Sequence, residues 1–335
     1  MSPGPETGSF TPRHPAWTIA GSPIPRIVLG TAKLGSVLPD ALVSEGDRAR
    51  AFRYLDDMVE AGCPAFDLAA SYQLGGTERL FGGWIRSRRN RDKIFLITKG
   101  GHPYPIVRPH RVTAAALRDD LHASLRRLQT ERVDLFLLHR DDPDAPLEPI
   151  LHMLAALERE GKFVAWGVSN WTHPRIRALD ALAPSAGLSH PAASSPHFSL
   201  AEWTTTPWKG STSIAGDANR EARAFYESTQ LPVLAWSPLG RGFFSTPEGS
   251  GGTYGTAANL ARKRRAEELG RRVHATAAQI ALAYVLRQPF PVFAIVATSM
   301  PEKMRSNLEA AQIPLSGSEA RWLESGEGPP PSQEC

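Results

Sequence analysis

The feature that most constrains this chain is a recurring alternation of short apolar, β-branched runs with longer amphipathic stretches rich in Ala, Leu, Arg and Glu. "IPRIVLGTA" from Ile24, "PAFDLAA" from Pro64, "KIFLITKG" from Lys93, "VDLFLLHR" from Val133 and "FVAWGVSN" from Phe163 are strand-like. Between and after them stand helical patterns: "DRARAFRYLDDMVEAG" from Asp47, "TERLFGGWIRSR" from Thr77, a long stretch from Val112 to Leu128, "LEPILHMLAALEREGK" from Leu147 and a short one near Ile176 to Ala183. The second half continues less cleanly. "HPAASSPHFSL" from His190 is an irregular strand, "GDANREARAFYESTQ" from Gly216 a helix, and "PVLAWSPLG" from Pro232 a strand. Helices around Leu260–Arg272 and Ala277–Arg287 precede the last strand, "PVFAIVATS" from Pro291. "PEKMRSNLEAA" then reads as a helix with Pro301 in its first turn.

Strands alternating with helices imply a parallel sheet. The runs are near-continuously apolar, as strands covered on both faces must be. About eight strand–helix units can be counted, the number that closes a barrel. No glycine-rich dinucleotide fingerprint follows the first strand, which argues against a doubly wound sheet. The expected fold is therefore a single-domain (β/α)8 TIM barrel over residues 21–326, with loose tails at 1–20 and 327–335. Ala201–Ala215 and Gly249–Ala258 read as long loops, which in compact domains are often functional.

Composition narrows the function classes. A formal charge of +4, scattered along the chain, suits a small anionic ligand. The basic run "ARKRRAEELGRR" from Ala261 has no interleaved aromatics for base stacking, so it reads as a solvated helix face and no nucleic-acid partner is expected. Two cysteines, Cys63 and Cys335, make no disulfide framework and fit a reducing compartment. No signal-like run and no membrane-length apolar stretch is found, so a soluble, cytoplasmic protein without a membrane partner is expected.

In such a barrel the chemistry sits at the C-terminal ends of the strands. Those ends carry Asp67, with Tyr72 just beyond it, then Lys99 and then His139. A carboxylate flanked by Phe66 and Leu68 is costly unless paired, and Lys99 on the next strand is the natural partner. An ammonium beside Tyr72 is expected to lower the phenol's pKa from about 10 toward a useful range. His139 is placed to orient a carbonyl toward Tyr72. The group as a whole protonates an oxygen on which negative charge develops. No metal site is read.

The segments "FDLAASY", "LITKGG", "LLHRDDPDAPLEPILHMLAALEREGKFVAWGVSNW", "AWSPLGRG" and "ATSMPEKMRSNLEAA", in this order, resemble the aldo-keto reductase family from about Arg26 to Leu323. The resemblance implies NADPH-dependent interconversion of a small-molecule aldehyde or ketone and its alcohol. Asp67, Tyr72, Lys99 and His139 are then the catalytic tetrad, with Tyr72 the proton donor. It further implies cofactor contacts at Gly30 and Thr31, at Ser169 and Asn170 for the nicotinamide carboxamide, and at Trp236 against the nicotinamide ring. Ser237, Leu239 and Arg241 match the pyrophosphate segment. Thr298, Ser299, Lys303 and Asn307 match the adenosine end, where hydroxyls and a cation at a helix N-terminus suit a 2′-phosphate and favour NADPH over NADH. Trp171, Phe198 and Trp203 are candidate substrate-pocket residues. Two positions depart from the family pattern: Ser195 stands where Gln is common, and Ala297 where Gly is common. Two other functions fit the same resemblance, an NADPH-binding regulatory subunit with little turnover and a natural-product tailoring enzyme catalysing a rearrangement or dehydration.

Overall fold

The computed structural model describes residues 18–38, 42–103, 111–246 and 252–328. Its centre is a closed parallel barrel of eight strands. In chain order these are β3 (Ile27–Gly30), β4 (Ala65–Asp67), β5 (Phe95–Gly100), β6 (Val133–Leu138), β7 (Phe163–Ser169), β8 (Ala193–Ser195), β9 (Val233–Trp236) and β10 (Val292–Val296), with β10 closing on β3. A short antiparallel hairpin, β1 (Thr18–Ile19) and β2 (Ser22–Pro23), precedes them. Outside run α1 (Glu45–Glu60), α2 (Gly76–Arg88), α3 (Ala114–Leu128), α4 (Leu147–Arg159), α5 (His173–Leu182) and α6 (Arg220–Thr229). They are followed by α7 (Ala257–Arg272), α8 (Ala277–Leu286), α9 (Pro301–Ala310) and α10 (Gly317–Ser325). The expected barrel is thus observed.

Strand alternation sorts the core into two layers. Val28, Ala65, Phe95, Ile97, Leu135, Leu137, Ala165, Leu234 and Phe293 pack together inside the barrel. The residues between them, such as Leu29, Phe66, Leu96, Phe136 and Trp166, pack outward beneath the helices. α4 shows how a helix joins that outer layer: Leu147, Ile150, Leu151, Leu154 and Leu157 recur at helical spacing and are all buried. Phe66 meets Phe81 and Trp84 of α2 edge-on at 5.1 and 5.6 Å. Helix starts are chemically marked, with Thr276/Gln279 and Ser316/Glu319 forming reciprocal capping boxes on α8 and α10.

The region expected as a loose N-terminal tail ends in a structured plug. Ile19 of the hairpin and Ile24 belong to the inner-barrel cluster, alongside Val28 and Phe293. Residues 1–17 and 329–335 of the two expected tails lie outside the described residues. So do residues 249–251 of the second expected loop.

Gly167 on β7 has no room for a side chain. A Cβ there falls 2.2 Å from the Ala193 carbonyl oxygen and 3.0 Å from a Leu137 methyl. Gly167→Ala is expected to cost about 1–3 kcal/mol through forced separation of β7 and β8. Calorimetry should show a lowered melting temperature; an unchanged one would mean the strands yield freely.

Candidate active site

The alternation that fills the barrel also aims its last side chains into the mouth. Asp67 stands two residues after Ala65, Lys99 two after Ile97, His139 two after Leu137, Ser169 two after Gly167, and Trp236 two after Leu234. Register completes the convergence, with Gly30 opposite Asp67 and Asp67 opposite Ile97. Tyr72 arrives from the loop after β4. Gln73 and Leu74, directly behind it, are left-handed at φ 49° and 52°, and Gly75 continues the turn at φ 83°. Two non-glycine residues there cost on the order of 1–3 kcal/mol each. Such strain is typical of a site where side-chain placement is imposed by the surroundings.

The four expected residues form one cluster. Lys99 Nζ lies 2.7 and 2.8 Å from the two Asp67 carboxylate oxygens. It also donates to the Leu68 carbonyl at 2.9 Å and to Tyr72 Oη at 3.0 Å. The Tyr72 ring meets His139 edge-on at 5.9 Å. His139 Nδ1 is buried and has no partner among the described residues.

Burial dominates the electrostatics. It works against the Lys99 ammonium, but Asp67 and Tyr72 more than offset it, and the lysine stays protonated beyond its ordinary range. Burial also raises the Tyr72 phenol above its ordinary value, despite the opposing pull of Lys99 and Arg140. The expectation of a lowered tyrosine pKa is therefore corrected: desolvation of the phenolate outweighs the neighbouring cations. Tyr72 is a firmly protonated phenol at neutral pH. His139 is held well below the usual imidazole range by burial, reinforced by Lys99, His102 and Arg140, and is neutral.

The remaining expected residues fall around this cluster. Gly30 lines the mouth, where a Cβ would come 3.0 Å from an Ile295 methyl. Thr31 donates from its hydroxyl (2.8 Å) and its N–H (3.2 Å) to the Asp67 carbonyl, so it braces the backbone of that residue. Asn170, left-handed at φ 60°, donates to Ser169 Oγ at 2.9 Å. Ser169 in turn donates to the Ser195 carbonyl at 3.1 Å. The Ser195 hydroxyl is turned to the Leu234 carbonyl at 2.8 Å. Ser237, Gly240, Arg241 and Gly242 all have positive φ (51°, 58°, 56° and 95°). The run beside Leu239 makes a concave backbone of the kind that receives anionic oxygens. Thr298, Ser299 and Lys303 surround the start of α9, with Asn307 one turn further. Tyr54 Oη holds the Thr298 carbonyl, and Ala297 beside it is exposed.

Of the three candidate pocket residues, Trp203 lies beside Trp236, ring centroids 5.5 Å apart. Trp171 is buried, its indole N–H without a partner among the described residues. Phe198 packs against Tyr284 and Phe290 in the outer core, away from the mouth. Sequence reasoning missed Trp208, 5.6 Å from Trp236 and under the Arg241 guanidinium. It also missed His102, 4.8 Å from His139, and Arg140. The signal available for the last two was proximity to Lys99 and His139 in the chain.

His197 anchors the mouth from below. Its Nδ1 meets Ser213 Oγ at 2.8 Å, its Nε2 meets Tyr254 Oη at 3.0 Å, and it stacks on Trp203 at 4.2 Å. Burial pushes this imidazole down to about 3 from 6.5. Between those values the unfolded chain binds a proton that the folded chain refuses, so stability is lost as pH falls below 6.5. His197→Gln is expected to remove about 2 kcal/mol of the stability difference between pH 6.5 and pH 5. Urea unfolding at the two pH values measures this, and identical pH dependence in both proteins would contradict it.

Fold and site together define a reductase-like scaffold, a parallel barrel whose mouth holds an acid–lysine–tyrosine chain beside a neutral histidine. The chain belongs to the aldo/keto reductase family, whose sequence profile matches residues 26–325. It is 29% identical over 320 residues to norsolorinic acid reductase A of Aspergillus parasiticus, covering 92% of this chain and 79% of that protein. It is 27% identical over 321 residues to the oxidoreductase YrpG of Bacillus subtilis, covering 90% and 92%. An aldo/keto reductase from Klebsiella pneumoniae, solved with NADP and acetate, superposes with a TM-score of 0.66 at 27% identity, covering 93% of this chain and 94% of that one.

Proposed function

We propose that this protein is an NADPH-dependent carbonyl reductase interconverting an aldehyde or ketone and its alcohol, with Tyr72 as proton donor. The observation that carries the reading is the Lys99 ammonium bridging Asp67 and the Tyr72 hydroxyl, 3.0 Å from Oη, beside the neutral His139. The residues present fit the cofactor. The Trp236 indole N–H and His139 Nδ1 are buried without partners among the described residues, and a positive-φ run with Arg241 lies alongside. Gly30, Thr31, Ser169, Asn170 and Trp236 would hold the nicotinamide end. Ser237, Leu239 and Arg241 would hold the pyrophosphate, and Thr298, Ser299, Lys303 and Asn307 the adenosine end. When bound, NADPH supplies the hydride.

The chain's own residues supply the proton and the orientation. Neutral His139 offers a hydrogen bond that fixes the substrate oxygen next to Tyr72. Tyr72 passes its proton to that oxygen as negative charge develops, and Lys99 stabilises the phenolate left behind. Asp67 keeps Lys99 charged and in place. Trp203 and Trp208 wall the approach to Trp236. A small-molecule carbonyl partner and a cytoplasmic location fit this chemistry. No described helix is long and apolar enough to cross a membrane.

Lys303 tests the cofactor assignment. Lys303→Glu is expected to weaken NADPH binding at least about tenfold, the scale of a charge-assisted contact, and to spare NADH. Fluorescence titration with both cofactors measures it. Equal affinity of the unmodified protein for NADPH and NADH would overturn the 2′-phosphate assignment.

A further inference from the structure

Arg140 follows His139 at the end of β6 and is only 8% exposed. Its guanidinium donates to Ser211 Oγ at 3.2 Å, on the long loop after β8. Among the described residues no carboxylate lies within ion-pair reach of it. Arg111, Arg127 and Arg175 are paired with Asp120, Glu78 and Asp141, and Arg287 is held by the Ile313 and Ala311 carbonyls, whereas Arg140 has a single hydroxyl among the described residues. A buried cation without a counter-ion is costly, and its forked donors are suited to a planar anionic group.

The surroundings fit a ligand with such a group. The Arg140 charge is felt at the Tyr72 phenol and at the His102 and His139 rings, so it lies within electrostatic reach of the tetrad. Next to Ser211, the Thr212 hydroxyl is buried with no partner among the described residues. Thr212 N–H reaches Asn170 Oδ1 at 3.4 Å, which ties this loop to the mouth. The positive groups assigned to the cofactor's phosphates, Arg241 and Lys303, follow β9 and β10. β10 lies across the barrel from β6, so Arg140 is not part of that set.

We propose that Arg140 determines specificity, selecting carbonyl substrates that carry an anionic oxygen, a carboxylate or an acidic phenol, on the same molecule. This rests on the carbonyl reductase reading. Two matched pairs test it with NADPH: 2-carboxybenzaldehyde against its methyl ester, and 5-nitrosalicylaldehyde against its O-methyl ether. In parallel, calorimetry measures binding of phthalate and dimethyl phthalate to the protein saturated with NADP+.

The anionic member of at least one pair is expected to be favoured at least about tenfold in kcat/KM, chiefly through KM, and the favoured pair identifies the anion. In Arg140→Met the preference should fall to within about threefold, and Arg140→Lys should keep part of it, since it retains the charge without the fork. Phthalate affinity should follow the same order. Equal treatment of both pairs by the unmodified protein overturns the inference and needs no variant to fold. So does a preference that survives intact in a folded Arg140→Met. If no aldehyde oxidises NADPH, yet phthalate binds the unmodified protein at least about tenfold better than Arg140→Met, the anion site stands and the reductase reading falls.

Discussion

Tyr72→Phe is expected to lower the turnover of carbonyl reduction by about 100- to 10,000-fold, the usual contribution of a positioned general acid. The substitution removes one oxygen and keeps the ring, so the edge-on contact with His139 survives. It also leaves the Lys99–Asp67 pair intact, because that pair is formed independently of the phenol. Fold and NADPH affinity should therefore change little, and the loss should appear in kcat rather than in KM. The pH profile of the unmodified enzyme supplies a second check. Since Tyr72 is raised above its ordinary value and His139 is held well below its own, neither changes protonation between pH 7 and pH 9. The chemical step is expected to be flat over that range. A sharp fall in single-turnover rate within it would mean that another group donates the proton.

The second large effect is expected at Lys99. Lys99→Met removes the positive end of an ion pair whose two side chains are 3% and 5% exposed. The Asp67 carboxylate is left buried without its partner, which costs about 3–5 kcal/mol. Turnover should fall as well, because the phenolate formed on Tyr72 loses its stabilising ammonium. The two consequences can be separated. Adding Asp67→Asn to Lys99→Met removes the stranded charge and should recover much of the stability but none of the turnover. Denaturant unfolding and single-turnover kinetics on the three variants measure this. Full stability in Lys99→Met alone would mean that the pair contributes nothing to the fold.

What was legible in the sequence follows from what periodicity can carry. The barrel was readable because strands covered on both faces are apolar throughout, and helices with one covered face repeat at 3.6 residues. Asp67, Lys99 and His139 were readable because an ionisable side chain at the end of an apolar run breaks the pattern. The plug was not readable: Thr18–Pro23 has strands of two residues each, too short to show alternation. Trp208 and Ser211 lie on a loop whose path is set by tertiary contacts such as Thr212 to Asn170. Arg140, one residue past His139, carries no sequence mark of burial, which only the fold around the barrel mouth creates. The direction of the Tyr72 shift was misread for the same reason. The neighbouring lysine is visible in sequence, whereas the desolvation that outweighs it exists only in the fold.

The central claim is that this site transfers a hydride to a carbonyl carbon while Tyr72 protonates the oxygen. Its most direct test is reduction of an aldehyde and ketone panel with NADPH deuterated at the transferred position, with mass spectrometry of the products. The account predicts stoichiometric cofactor oxidation and an alcohol carrying one deuterium on the former carbonyl carbon. Tight NADPH binding with no oxidation by any carbonyl, or turnover that leaves the deuterium on the cofactor, would contradict it.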